Sequence, residues 1–210
     1  SPIWGFFLLM NKKDKIAVIG LGYVGLPLVV AFSEHYKVVG FDINVDRIKD
    51  LNNSIDSNGD IKFVKNSNIL FTNKLEELSD ANIYIITVPT PVTSDNIPDL
   101  TVIESASRLV ADLLKKEDIV VYESTVYPGV TEEVCVPILE AGSGLKYNVD
   151  FYCGYSPERI SPGADKYTLQ KIVKITSGSN VRAAEIVDNL YNKIIDAGTY
   201  RAPSIRVAEA

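Results

Sequence analysis

Three glycines, Gly20, Gly22 and Gly25, stand directly between two apolar runs. The first, Ile16-Ala17-Val18-Ile19, is short and non-alternating, as in a strand buried on both faces of a parallel sheet. In the second, Val24, Leu28, Ala31 and Phe32 recur at helical spacing. G-x-G-x-x-G between a strand and a helix asks a separate task of each glycine. One lets the chain turn, one lets the backbone approach a pyrophosphate, and one lets helix and strand pack closely. The N–H groups of the helix's first turn then face the phosphates, where the helix dipole also favours negative charge. Pro27 fits there, because an N–H missing from the first turn is one the helix does not use. A further run, Val38-Val39-Gly40-Phe41, ends in Asp42, which lies 22 positions after Gly20. An acid at that distance can accept hydrogen bonds from a ribose hydroxyl.

The 210 residues suffice for one large domain whose core needs neither disulfides nor metal. The net charge of −6, without a basic run, argues against nucleic acid or an anionic membrane as the main partner. The two cysteines, Cys135 and Cys153, form no C-x-x-C, and Cys135 reads as a buried thiol beside Val134, Ile138 and Leu139. With His35 the one histidine, at the polar end of the first helix, no metal site is expected. Trp4 to Met10 is apolar but too short to span a bilayer, and it lacks the flanks of a signal peptide. Residues 1–12 are therefore read as an extension, and a cytoplasmic setting is the default expectation.

Further along, Ile43 to Leu51 reads as a helix. It carries Arg47, which can lie over an adenine, reach a ribose, or simply face solvent. Residues 52–68 are polar and read as a variable loop, and Leu75 to Leu78 as a short helix. Ile83-Tyr84-Ile85-Ile86 is a buried strand that runs into Thr87-Val88-Pro89-Thr90-Pro91, with Thr90 at the rim. Thr101 and Glu104 have the spacing of a capping box for a helix reaching Leu114. The strand Ile119-Val120-Val121-Tyr122 leads into Glu123-Ser124-Thr125, and a helix is expected from Val130 to Glu140. Phe151-Tyr152-Cys153 precedes Ser156-Pro157-Glu158-Arg159, then a strand over Ile172 to Thr176 and a helix over Val181 to Tyr191. This alternation predicts an α/β fold: a Rossmann-like, doubly wound, mostly parallel sheet with helices on both faces. Residues 13–201 form that domain. Residues 202–210 read as the opening turns of a further helix, cut short at Ala210, hence the start of a truncated central helix.

Taken together, Gly20-Leu21-Gly22-Tyr23-Val24-Gly25-Leu26-Pro27, Gly40-Phe41-Asp42, Val88-Pro89-Thr90-Pro91, Glu123-Ser124-Thr125 and Ser156-Pro157-Glu158-Arg159 resemble one family. It is the UDP-glucose/GDP-mannose dehydrogenase family of nucleotide-sugar 6-dehydrogenases. The resemblance implies two NAD used per primary alcohol taken to a carboxylate, through a thioester on a cysteine. It assigns Gly20, Gly22, Tyr23, Val24 and Gly25 to the pyrophosphate and Asp42 to the adenosine ribose. Arg47 falls near the adenosine end, and Thr90 near the nicotinamide. Thr125 serves both cofactor and catalysis by positioning water near the reacting carbon, and Glu158 is implicated in activating water for thioester hydrolysis.

Glu158, Arg159 and Ile160 would also meet the sugar nucleotide. The arginine resembles the branch that oxidises UDP-N-acetylhexosamines for surface polysaccharide biosynthesis. A homodimer or higher oligomer through the central helix is implied as well. The family's nucleophilic cysteine motif, and its lysine and asparagine, have no match here, so the resemblance covers the NAD-binding part only. UDP-glucose oxidation, a β-hydroxyacid dehydrogenase-type domain and an NAD-sensing module without chemistry are the alternatives.

Overall fold

The computed structural model describes residues 14–59, 61–92, 95, 97–158 and 169–210. Arg159 and Ile160 thus lie outside the described residues. The glycine-rich turn joins β1 (Lys15–Ile19) to α1 (Gly25–Phe32), followed by β2 (Lys37–Phe41), α2 (Val45–Asn52) and β3 (Ile69–Thr72). Then come β4 (Ile83–Ile86), α3 (Thr101–Ala111), β5 (Ile119–Tyr122), α4 (Val136–Ser143) and β6 (Tyr152–Tyr155). The last elements are β7 (Lys174–Gly178), α5 (Val181–Asn192), β8 (Thr199–Arg201) and α6 (Ile205–Glu209).

The eight strands lie in the order β3-β2-β1-β4-β5-β6-β7-β8. Neighbours are parallel except β6 and β7, which pair antiparallel through Gly154↔Gly178 and Tyr155↔Ser177. Because β1 sits between β2 and β4, connections leave it in opposite directions. A crevice opens there, outside the carboxyl ends of the strands.

Alternation along β1 splits the core. Ile16 and Val18 pack with Leu28 and Phe32 of α1 and Val187 and Tyr191 of α5, while Ala17 and Ile19 pack with Ile103 of α3 and Leu139 of α4. Both faces of the sheet are therefore sealed, as its apolar strands require. Truncating a fully buried Leu28 to alanine in such a layer costs about 2–5 kcal/mol.

Three local expectations are corrected, and two strands are added. The capping box is not formed: Asp99 Oδ1 accepts the Thr101 N–H at 2.9 Å, while Glu104 pairs with Arg108 at 2.8 Å. Thr101 is itself the first helical residue, so the cap lies upstream of it. The helix expected over Val130 to Glu140 opens instead with a wide π-turn, Thr131–Cys135, before α4. Pro137 lacks the N–H that an α-turn would direct at the carbonyl of Glu133. The strand expected at Ile172 begins at Lys174 and extends to Gly178. Finally, β3 and β8 were not expected, since runs of 4 and 3 residues carry too little pattern to read.

Candidate dinucleotide and reaction site

The glycine turn is built as its spacing demands. Gly20 has φ of 94°, which a side chain disfavours, and it reverses the chain at the end of β1. A Cβ on Gly25 would meet the Gly20 carbonyl oxygen at 1.9 Å, so only glycine lets α1 start this close to the strand. A Cβ on Gly22 would meet no protein atom within 4 Å, so it would point into the open cleft. Thr87, at the end of β4, locks the turn by donating its hydroxyl to the Gly20 carbonyl at 2.6 Å. No side chain caps α1, and its first turn holds no acid, so an incoming anion finds no competitor there.

Asp42 follows β2 and faces the same cleft. Its Oδ2 accepts the Leu21 N–H at 2.9 Å and its Oδ1 the Asn44 N–H at 2.9 Å. Arg47 departs from the sequence reading: it faces neither solvent nor the cleft. Its Nε donates to the Leu21 carbonyl at 2.9 Å, and its Nη1 meets Asp56 at 2.6 Å. Arg47 is buried, and its Nη2 is enclosed without a hydrogen-bond partner. Burial works against the charge of Asp56, yet hydrogen bonds from the Ile61 N–H and Arg47, with the arginine's charge, hold its carboxyl below the usual range. Arg47 therefore ties the glycine turn to the segment after α2.

The cleft, of about 780 Å³, runs from this turn across the ends of β4, β5 and β6. Gly20, Gly22, Tyr23, Val24, Asp42, Thr90, Thr125 and Glu158 all line it, whereas Gly25 packs behind it. Thr90 donates its hydroxyl to the Thr125 carbonyl, and Ser124 donates to the Val88 carbonyl at 2.6 Å, so two strand ends are stitched together.

Beneath the far end lies a charged group that the sequence reading did not single out. Lys174 Nζ meets Glu123 Oε2 at 2.6 Å, the Pro157 carbonyl at 3.0 Å and Glu158 Oε2 at 3.6 Å. The Tyr191 hydroxyl donates to the other oxygen of Glu123. Burial pushes Glu123 up, Lys174 pulls it down and Glu158 adds to the rise; the carboxyl ends above its ordinary value. Glu123 belonged to a recognised motif without a role. Lys174 and Tyr191 looked like members of an apolar strand and helix. No group of three or more His, Cys, Asp or Glu among the described residues could hold a metal.

A doubly wound sheet with a glycine turn and a facing acid at its switch point defines a dinucleotide-binding α/β domain. Residues 14–195 match the model of the UDP-glucose/GDP-mannose dehydrogenase family, NAD binding domain, and the chain belongs to that family. Its cofactor is NAD, and the open space over Gly22 beside the Asp42 carboxylate fits that group.

The chain is 53% identical, over 95% of its length, to UDP-N-acetyl-D-glucosamine 6-dehydrogenase of Pseudomonas aeruginosa, and covers 48% of that protein. It is 50% identical to protein CapL of Staphylococcus aureus, over 96% of its length and 47% of that protein. Among solved structures, UDP-D-ManNAc dehydrogenase from Pyrococcus horikoshii superposes with a TM-score of 0.81 at 32% identity, covering 92% of this chain and 48% of that one. The chain thus spans about half the length of the curated relatives it matches. Membership displaces the β-hydroxyacid dehydrogenase alternative.

Proposed function

We propose that this chain is the NAD-binding half of a dehydrogenase that oxidises the primary alcohol of a UDP-N-acetylhexosamine to the uronic acid with two NAD, for surface polysaccharide biosynthesis. One observation carries the reading: a single cleft has a dinucleotide turn at one end and Thr125 and Glu158 at the other. Relatives 53% and 55% identical are named for UDP-N-acetyl-D-glucosamine, which favours that sugar over glucose.

Bound NAD⁺ accepts hydride. Gly20, Gly22, Tyr23 and Val24 present backbone to its pyrophosphate, and Asp42 faces its adenosine ribose. Thr90 fixes the Thr125 carbonyl near the nicotinamide end, Thr125 positions water, and the Glu158 carboxylate accepts a proton from it. Arg159 and Ile160 complete the sugar contacts in this reading. Cys135 and Cys153 are buried away from the cleft, so the thiol nucleophile is expected outside this chain. Assembly as a homodimer or higher oligomer is part of the proposal. So is a cytoplasmic setting, in keeping with two unpaired thiols; no helix among the described residues is long and apolar enough to cross a membrane.

The test compares kcat/KM of the complete dehydrogenase for UDP-N-acetylglucosamine, its galacto and manno isomers, UDP-glucose and GDP-mannose. A UDP-N-acetylhexosamine is expected to lead by about tenfold, roughly 1.4 kcal/mol in transition-state binding. A lead of that size for UDP-glucose would overturn the substrate assignment. This chain alone is expected to bind NAD⁺ and produce no NADH from any of the five.

A further inference from the structure

The reversal of β7 has a chemical consequence. In a parallel strand, the first residue lies at the amino edge of the sheet, far from the cleft. Because β7 runs antiparallel to β6, its first residue arrives at the carboxyl edge instead. Carried outward from the Tyr155↔Ser177 pair, the register sets Lys174 opposite Glu158. The Lys174 side chain is 4% exposed, and its ammonium meets groups from two loops: Glu123 after β5, and Pro157 and Glu158 after β6. From α5, Tyr191 donates to Glu123 and lays its ring 5.5 Å from the ammonium.

We propose that Lys174 is a positioning residue that binds the β5 and β6 loops into one rigid unit and so fixes Thr125 relative to Glu158. The inference rests on the reaction assigned above for its kinetic consequence, but not for its structural one. Thr125 lies two positions from the Glu123 that Lys174 holds, and Glu158 follows the Pro157 carbonyl that it also holds. A buried ammonium with a carboxylate and a carbonyl at 2.6 and 3.0 Å is a short, dry connection with little freedom. Removing it leaves Glu123 buried with the phenol of Tyr191 as its remaining side-chain donor. The glycine turn and Asp42, held separately by Thr87 and the Leu21 N–H, do not depend on it.

The test has two arms. In this chain, Lys174→Met should speed amide hydrogen exchange at both Ser124–Val126 and Ser156–Glu158 by about tenfold. Exchange at Leu21–Gly25 and the Kd for NAD⁺ should stay within about twofold. Tyr191→Phe should loosen Ser124–Val126 alone, since it removes only the hydroxyl that donates to Glu123 and keeps the ring beside the ammonium. If Lys174→Met does not fold, Lys174→Gln carries the same expectation.

In the complete dehydrogenase, Lys174→Met should lower kcat by about tenfold to a hundredfold, with the KM for NAD⁺ little changed. Exchange that rises at one segment or neither overturns the proposal. So does an unchanged kcat, or Tyr191→Phe loosening both segments equally. A complete wild-type protein inactive on every nucleotide sugar would refute the functional reading instead, and the exchange arm would still decide the role of Lys174.

Discussion

The carboxylate of Asp42 accepts the N–H of Leu21 at 2.9 Å, joining the end of β2 to the glycine turn after β1. Its other oxygen holds the Asn44 N–H, so the orientation of the acid is set before any ligand arrives. An NADP 2′-phosphate would lie against this fixed anion, at a cost on the order of 1–4 kcal/mol. Calorimetry on the chain should therefore show NAD⁺ binding at least about tenfold tighter than NADP⁺. Equal affinities would remove Asp42 from the ribose site.

Two glycines of the same turn should fail differently. Gly22→Val adds atoms where the protein has none within 4 Å, so the fold should survive while NAD⁺ binding is lost. Gly25→Val places a Cβ 1.9 Å from the Gly20 carbonyl, so thermal unfolding should occur well below the wild-type temperature. Parallel melting curves and NAD⁺ titrations separate these outcomes; a Gly22 variant that binds normally would contradict the pyrophosphate assignment.

Breaking the buried Arg47–Asp56 pair by Arg47→Met should cost about 3–5 kcal/mol, because Asp56 is left charged without its main partner. The affinity for NAD⁺ should weaken too, through the freed Leu21 carbonyl. The pH dependence has a definite sign. The folded-state pKa of Asp56 is lowered, so its contribution is complete above the usual carboxylate range, about pH 4, and fades as pH falls through the folded value. Urea denaturation on the acid side should show a shallower loss in the Arg47→Met variant than in the wild type.

Asp118 makes the opposite case, far from the cleft, at the amino end of β5. Burial raises its carboxyl to about 7, against which the Lys115 N–H at 2.8 Å is too little. Between about pH 4 and 7 the folded chain keeps a proton that the unfolded chain has released, so this group's contribution to stability declines as pH rises. Asp118→Asn can still accept the Lys115 N–H and should flatten that decline. A variant whose stability falls as steeply as the wild type's would show that another group is responsible.

What the sequence disclosed and what it hid divide along physical lines. The glycine turn and the place of Asp42 beside it were legible because each depends on a few neighbouring residues. Arg47 was found, but its engagement was not. Its partner Asp56 lies in a stretch that composition marks only as a loop, and nothing local distinguishes a loop aspartate that binds an arginine from one in water. Lys174 was hidden more deeply, inside an apolar run, and its meaning comes from the direction of β7 relative to β6, a long-range choice that no short pattern records. The cap of α3 was misplaced by position alone, since Asp99 and Thr101 are both competent acceptors two residues apart.

Cys135 and Cys153 are both at 0% exposure, and burial lifts the Cys135 thiol to about 11 and Cys153 well above the ordinary thiol value. A thiolate is the reacting species, so both are slow toward alkylating reagents while the fold holds. The chain thus comes with a silent background for labelling. A single cysteine introduced at exposed Tyr127 and another at exposed Ile43 would accept a donor and acceptor dye without mutating the native pair, giving a direct ruler across the cleft.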